Sequence, residues 1–170
     1  IINTATPGRA DIHLGSPNIN CSPPGPGFGF GGRPGQPGEN CVPQGNVLII
    51  QEENKDSPDD NGSGGNITFM FESPAAIVYD IGLMSIEGPN DVLLYVELPD
   101  GSIETIVVNG LGANSIQNVA IDAVEVKSIK VSFVASGAIR NAIFCLNERP
   151  SSAPSLAPSK VPTRSPVTPE

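Results

Sequence analysis

Apolar and polar residues alternate along most of the chain after residue 46, and this period of two is typical of β-strands with one buried face. No segment shows the 3.6-residue period of a capped helix. The turn Pro99-Asp100-Gly101 separates two alternating runs, which predicts a β-hairpin. The runs that we predict as strands are Val47–Gln51, Ile67–Phe71, Ala76–Ile86, Val92–Leu98, Ser102–Val108, Ser115–Ile121, Val124–Val134 and Ala138–Leu146.

Short strands with turn signals every ten or so residues predict an all-β fold, and specifically an antiparallel β-sandwich with jelly-roll-like character. Composition divides the 170 residues into three parts. Residues 1–45 form an irregular segment with a Pro/Gly-rich loop that we expect to pack on the sandwich. Residues 46–148 form its core. Residues 149–170 have proline at every fourth position among Ser, Thr and Ala, which predicts a disordered or extended stalk or linker.

The formal charge of −9 argues against nucleic acid and anionic membranes as partners. No apolar run is long enough to cross a bilayer, so this chain is not expected to insert into a membrane. The chain begins at Ile1 rather than Met, and we interpret it as a processed product or a fragment.

Three cysteines point to an oxidising compartment. Two pairings are open: Cys21–Cys41 would close the Pro/Gly loop, whereas Cys41–Cys145 would tie the first core strand to the last. The remaining thiol is expected to be buried or paired outside this chain. Since there is no Cys-x-x-Cys motif and only one histidine, a cysteine- and histidine-based metal site is not expected. The sequons at Asn20, Asn61 and Asn66 are glycosylation acceptors if the protein is secreted.

The segment from Pro58 to Gly65 carries the candidate chemistry. Carboxylate and amide oxygens followed by glycines can surround Ca²⁺, which prefers six to eight oxygen ligands. Neighbouring acids could complete the shell, so that a structural calcium site would comprise Asp11, Glu52, Asp56, Asp59, Asp60 and Asn61. The alternative is a solvated acidic turn.

Catalysis is not expected. His13 is the single histidine, lies in an irregular segment, and is accompanied by no Gly-x-Ser-x-Gly motif. Carbohydrate binding is the main alternative to a structural role, because Phe28, Phe30, Tyr79 and Tyr95 could stack on sugars. The other aromatic residues at strand positions are predicted core residues, namely Phe69, Phe71, Phe133 and Phe144.

Several motifs in order resemble a domain of secreted, surface-anchored proteins of marine microbes and diatom-type algae, including proteins with PEP-CTERM-type anchors. They are Leu14-Gly15-Ser16-Pro17-Asn18, Gly38-Glu39-Asn40-Cys41, Gly45-Asn46-Val47-Leu48-Ile49-Ile50-Gln51-Glu52, Pro58-Asp59-Asp60-Asn61, Gly64-Gly65 and Leu111-Gly112-Ala113-Asn114-Ser115-Ile116-Gln117. Relatives often have Asp where His13 stands, and carry further strands before this region.

The resemblance implies a surface β-sandwich without a shared enzymatic activity. Together with the composition, it predicts an extracellular, non-enzymatic structural or adhesive module with a structural calcium site. Its expected partners are copies of itself or other cell-surface proteins, with polysaccharide as a further candidate. The alternative is a calcium-dependent, lectin-like carbohydrate-binding module.

Overall fold

The computed structural model describes residues 1–53 and 58–147. The predicted stalk and the candidate ligand Asp56 lie outside these residues. Within these ranges, seven strands form one antiparallel sheet in the order β1-β2-β7-β3-β6-β4-β5. They are β1 (Ile2–Asn3), β2 (Asn46–Ile49), β3 (Gly65–Met84), β4 (Val92–Glu97), β5 (Ile103–Val108), β6 (Ile116–Phe133) and β7 (Ala138–Leu146), with one 3-10 turn at Ile12–Leu14.

The predicted all-β antiparallel class is confirmed, but the strands form one continuous sheet rather than two separate sheets. The reason lies in β3 and β6, which each continue through a break that the sequence predicts. A register shift between Met70 and Ala75 lets β3 run on where two strands were expected. In β6, Asp122 and Glu125 take positive φ values of 49° and 53°, and the strand passes through them. β-Bulges of this kind bend a strand without ending it.

The long β3–β6 ribbon joins two halves of the sheet. At one end, β6 pairs with β4, and β5 lies beyond β4 at the edge. At the other end, β3 pairs with β7, followed by β2 and β1. Buried side chains from both ends belong to one apolar cluster, which includes Ile81 and Leu83 of β3, Leu94 of β4 and Ile139 of β7. The two halves therefore share one core.

Residues 1–45 pack on the half of the sheet that contains β1 and β2. A second buried cluster brings Ile2 and Leu14 against Val47, Met84 and Ala138. The glycine-rich loop continues this contact, since a Cβ atom at Gly29 would lie 2.1 Å from the carbonyl oxygen of Ala113. Only glycine permits such a close backbone approach. The N-terminal segment is thus part of the folded core structure.

The predicted hairpin at Asp100-Gly101 is confirmed. β4 and β5 pair residue by residue from Val92↔Val108 to Glu97↔Ile103. Gly101 has a φ of 84° and donates its N–H to the carbonyl oxygen of Leu98 at 3.0 Å. A glycine with positive φ is what a short hairpin turn of this kind requires.

Candidate functional site

A buried network of asparagines fixes the N-terminal segment on the sheet. Asn114 Nδ2 donates to the backbone carbonyl oxygens of His13 (2.9 Å) and Gly15 (2.7 Å), and its Oδ1 accepts from Asn18 Nδ2 at 2.7 Å. Asn40 Nδ2 donates to the carbonyl oxygens of Gly15 and Asn114, each at 3.2 Å. All three asparagines have 0% exposure. Because a buried polar group needs a partner, this network specifies one docking geometry for the segment.

That geometry places Asp11 and His13 beside Asp60, which follows β2 in the chain. His13 Nε2 lies 3.2 Å from Asp60 Oδ1 and 3.3 Å from Asp60 Oδ2. Asp60 donates its backbone N–H to Asp11 Oδ1 at 3.1 Å. One potential ligand atom from each of the three side chains lies within 4.8 Å of the others. We call these three residues the Asp-His-Asp cluster.

The two carboxylates of the cluster are buried. Asp11 is 1% exposed and Asp60 is 6% exposed. Asp60 is held by the loop after β6, since Gly137 donates its N–H to Asp60 Oδ2 at 2.9 Å. Asp11 Oδ2 is buried and has no hydrogen-bond partner among the residues that the structure describes. An unpaired buried carboxylate oxygen is costly, so it requires an explanation.

The cluster separates the pKa values of its two carboxyl groups. The pKa of Asp11 is raised to about 6, chiefly by burial; the N–H of Asp60 opposes this rise, whereas a hydrogen bond with the Asp60 side chain and the charges of Asp60 and Asp59 add to it. Burial would also raise the pKa of Asp60, but the hydrogen bond and charge of His13 outweigh it and lower that pKa. For His13 burial acts to lower the pKa, yet Asp60, Asp11 and Glu87 together raise it. Without a cation, both shifts favour an ion pair between a protonated His13 and an ionised Asp60.

The structure brings together two of the six predicted calcium ligands, Asp11 and Asp60. Glu52 and Asp59 do not belong to the cluster, and their main chains pair with each other (N–H of Glu52 to the carbonyl oxygen of Asp59, 2.8 Å). The Asn61 side chain forms a hydrogen bond within its own turn, because its Oδ1 accepts the N–H of Ser63 at 2.9 Å. His13 was not among the predicted metal ligands, but its side chain is only 20% exposed and contacts Asp60.

The predicted Cys21–Cys41 disulfide is present, with the two Cα atoms 5.4 Å apart. The alternative Cys41–Cys145 pairing is excluded by this bond. Cys145 is a free, exposed cysteine near the end of β7, so it is not buried, and its pairing with residues outside this chain stays a prediction. Its Sγ lies 4.0 Å from the hydroxyl of Tyr79.

The three sequons differ in accessibility. Asn20 and Asn66 are exposed, whereas Asn61 is partly buried. Asn20 Nδ2, the nitrogen that would carry a glycan, donates to Asn18 Oδ1 at 2.8 Å. Asn66 lies at the start of β3 and faces solvent, which makes it the acceptor with the fewest steric constraints.

The aromatic residues are only partly where the sequence places them. Phe133 is buried, and Phe69 and Phe71 pack against the core cluster. Phe144 is 39% exposed and was wrongly predicted to be a core residue; it packs edge-on against Phe71 with ring centroids 5.1 Å apart. Phe28 and Phe30 are exposed in the glycine-rich loop, and the Arg33 guanidinium lies 4.3 Å from the Phe30 ring.

Comparisons of the chain with family models, with curated proteins and with solved structures each find no match. Within residues 1–53 and 58–147, no helix has the length and apolar character needed to cross a membrane. The function is therefore inferred from the geometry of the chain itself.

Proposed function

We propose that this chain is a non-enzymatic structural or adhesive module of an extracellular surface or matrix, and that it joins copies of itself or other surface proteins by strand pairing. The observation that carries this proposal is the unpaired outer edge of β5. β5 is the last strand of the sheet and pairs only with β4 among the described residues. An open strand edge is a template for a strand from another chain.

The hydrogen-bond pattern identifies the residues that this edge presents. The N–H of Leu98 donates to the carbonyl oxygen of Ser102 at 2.9 Å, at the end of the β4–β5 hairpin. Bonded and non-bonded pairs alternate along an antiparallel ladder. It follows that Ile103, Thr105 and Val107 direct their backbone N–H and carbonyl groups away from β4.

The side chains of the same residues favour association. Ile103 is 61% exposed and Val107 is 52% exposed, and both lie on the face of β5 that is turned away from the buried Val108. Protected edges usually carry lysine, proline or a bulge. β5 has none of these, and its only charged residue is Glu104. An apolar edge of six residues is long enough to pair with another chain.

The extracellular assignment rests on different residues. The Cys21–Cys41 disulfide is typical of proteins that fold in an oxidising compartment. The Pro/Ser/Thr composition of residues 149–170 is typical of an extended stalk, which would hold the module away from its anchor.

Sedimentation velocity over a range of protein concentrations tests the proposal. We expect the unmodified chain to form dimers or longer assemblies, and Ile103→Lys with Val107→Lys to remain monomeric, because two cations on the outer face block edge pairing. The matched control is Ile103→Thr with Val107→Thr, which keeps β-branched residues without adding charge. Self-association through β5 is contradicted if the unmodified chain is monomeric throughout or if the lysine variant associates equally well.

Carbohydrate binding is the second candidate, because one observation specifically favours it. Phe30 is 72% exposed and lines a shallow cavity of about 270 Å³ together with Gln36, Pro37 and Leu111. An exposed ring next to an amide is a common arrangement for stacking on a sugar. Glycan-array binding that Phe30→Ala abolishes would support this candidate, and an array without binding would count against it.

A further inference from the structure

We propose that Asp11, His13 and Asp60 form a binding site for one divalent cation of the zinc class. This site goes beyond the proposed assembly function and does not depend on it. The three side chains come from two distant parts of the chain and offer one ligand atom each within 4.8 Å. They face one another because the asparagine network and the apolar cluster of Ile2 and Leu14 dock the N-terminal segment, so the site exists only in the folded protein.

The unpaired oxygen of Asp11 is the observation that points to a ligand. Asp11 is 1% exposed, its Oδ1 accepts the N–H of Asp60, and its Oδ2 has no hydrogen-bond partner among the described residues. A cation bound at this oxygen would supply the missing interaction. The same residue lines a cavity of about 270 Å³ beside Pro58 and Arg9, whereas His13 and Asp60 do not line it.

Backbone groups already orient both carboxylates. The N–H of Asp60 holds Asp11 Oδ1, and the N–H of Gly137 holds Asp60 Oδ2. Outer hydrogen bonds of this kind fix ligand orientation in metal sites. They leave Asp11 Oδ2, Asp60 Oδ1 and His13 Nε2 as the atoms that would bind the cation.

The donor set decides the class of cation. Ca²⁺ prefers six to eight oxygen ligands, whereas imidazole with carboxylates suits Zn²⁺ and related ions. Ligand distances near 2.1 Å place two tetrahedral ligand atoms about 3.4 Å apart. His13 Nε2 and Asp60 Oδ1 are 3.2 Å apart, a separation that suits two ligands of one ion and equally a direct ion pair. Three protein ligands leave one position for water or for a group from a partner.

The competing explanation is that the cluster is a metal-free ion pair between His13 and Asp60. In that case, the proton on His13 Nε2 fills the place that the cation would occupy. The two explanations differ in whether Zn²⁺ displaces this proton, and His13 is a convenient reporter because it is the only histidine in the chain.

The first test uses untagged, chelator-treated protein with Zn²⁺ and Ca²⁺ as separate probes. In calorimetric titration we expect one equivalent of Zn²⁺ to bind, and the imidazole ¹⁵N resonances of His13 to shift as Nε2 coordinates. Asp11→Asn and His13→Gln are each expected to weaken Zn²⁺ binding about tenfold or more. The control is Glu104→Gln, which removes the charge of an exposed acid on β5 outside the cluster and is expected to bind Zn²⁺ unchanged.

A second variant tests whether the imidazole ligand sets the preference for Zn²⁺ over Ca²⁺. His13→Asp converts the cluster to oxygen ligands only, so we expect it to lose preference for Zn²⁺ and gain affinity for Ca²⁺. Absence of Zn²⁺ binding, with unshifted His13 resonances, would overturn the proposal and leave an ion pair only. Tighter binding of Ca²⁺ than Zn²⁺ by the unmodified chain would overturn the zinc-class assignment and support the calcium site. Because the NMR experiment uses the unmodified chain, the outcome does not depend on the folding of any variant.

Discussion

Removing the Asn114 side chain is expected to produce one of the largest stability losses available to a single polar substitution in this protein. The side chain has 0% exposure and makes three hydrogen bonds, two to backbone carbonyls and one to Asn18. Each buried hydrogen bond contributes about 1 kcal/mol, and a group left unsatisfied costs about 1–3 kcal/mol. The carbonyl oxygen of Gly15 keeps its hydrogen bond from Asn40, so the substitution does not leave every partner without a hydrogen bond. Removing the side chain is therefore expected to lower the free energy of unfolding by about 3 kcal/mol.

Backbone conformation adds a separate contribution. Asn114 has a φ of 67°, a left-handed conformation that alanine adopts at a cost of roughly 1 kcal/mol and glycine adopts freely. Asn114→Gly is thus expected to lose about 3 kcal/mol, and Asn114→Ala about 4 kcal/mol. Comparing the two variants separates the cost of losing the hydrogen bonds from the cost of the left-handed backbone conformation.

Urea unfolding followed by circular dichroism measures these losses, with Asn109→Ala as the control. Asn109 is exposed and its Oδ1 accepts a single hydrogen bond, from the N–H of Asn90 at 3.2 Å. We expect that control to lose less than about 1 kcal/mol. If Asn114→Gly also loses less than about 1 kcal/mol, the asparagine network does not hold the N-terminal segment on the sheet, and the reasoning is refuted.

Three further predictions follow from other contacts. Replacing Cys21 and Cys41 by serine opens a loop with a sequence separation of 20 residues and is expected to cost about 3 kcal/mol, measured as a lower urea midpoint. In metal-free protein, Asp60 raises the pKa of His13, so the contribution of this pair to the free energy of unfolding is fully present below the unfolded pKa near 6.5 and is lost as pH rises through the folded pKa. His13→Gln should remove this loss, and a pH profile of stability that the variant leaves unchanged would contradict the prediction. Gly31→Ala brings a Cβ atom 2.3 Å from a backbone carbonyl oxygen, so we expect a loss of several kcal/mol in the same unfolding assay, and a neutral result would show that the loop docks differently.

Much of the sheet could be predicted from the sequence because period-two alternation reports burial directly. The Ala138–Leu146 strand has the predicted bounds, and the hairpin at Asp100-Gly101 follows from turn chemistry. The joined strands β3 and β6 could not be predicted, because a bulge changes the alternation in the same way as a strand end does. The pairing of β3 with both β6 and β7 depends on contacts far apart in the chain.

The candidate site was predicted in part for a similar reason. Asp60 was identified in the acidic segment Pro58 to Gly65, and Asp11 as a neighbouring acid that could complete the ligand shell. His13 was set aside because a lone histidine in an irregular segment carries no local signal. Its role depends on the docking of residues 1–45, which the buried amides of Asn18, Asn40 and Asn114 determine. The quoted sequence motifs contain all three asparagines, but nothing in their spacing predicts that their side chains meet.

Edge pairing through β5 makes a specific geometric claim that cross-linking can test. If two copies join as antiparallel strands centred on Thr105, the two Thr105 residues form a hydrogen-bonded pair with Cα atoms about 5.5 Å apart. A cysteine at this position would then lie within reach of its copy. The free thiol of Cys145 must first be removed, because it is exposed.

The most direct measurement is therefore bis-maleimide cross-linking of Thr105→Cys in a Cys145→Ser background, with Ser63→Cys as an exposed control outside the edge. Strand pairing through β5 predicts a cross-linked dimer for the position 105 variant and little or none for the control. Equal yields from the two positions, or no dimer from either, would contradict assembly through the β5 edge.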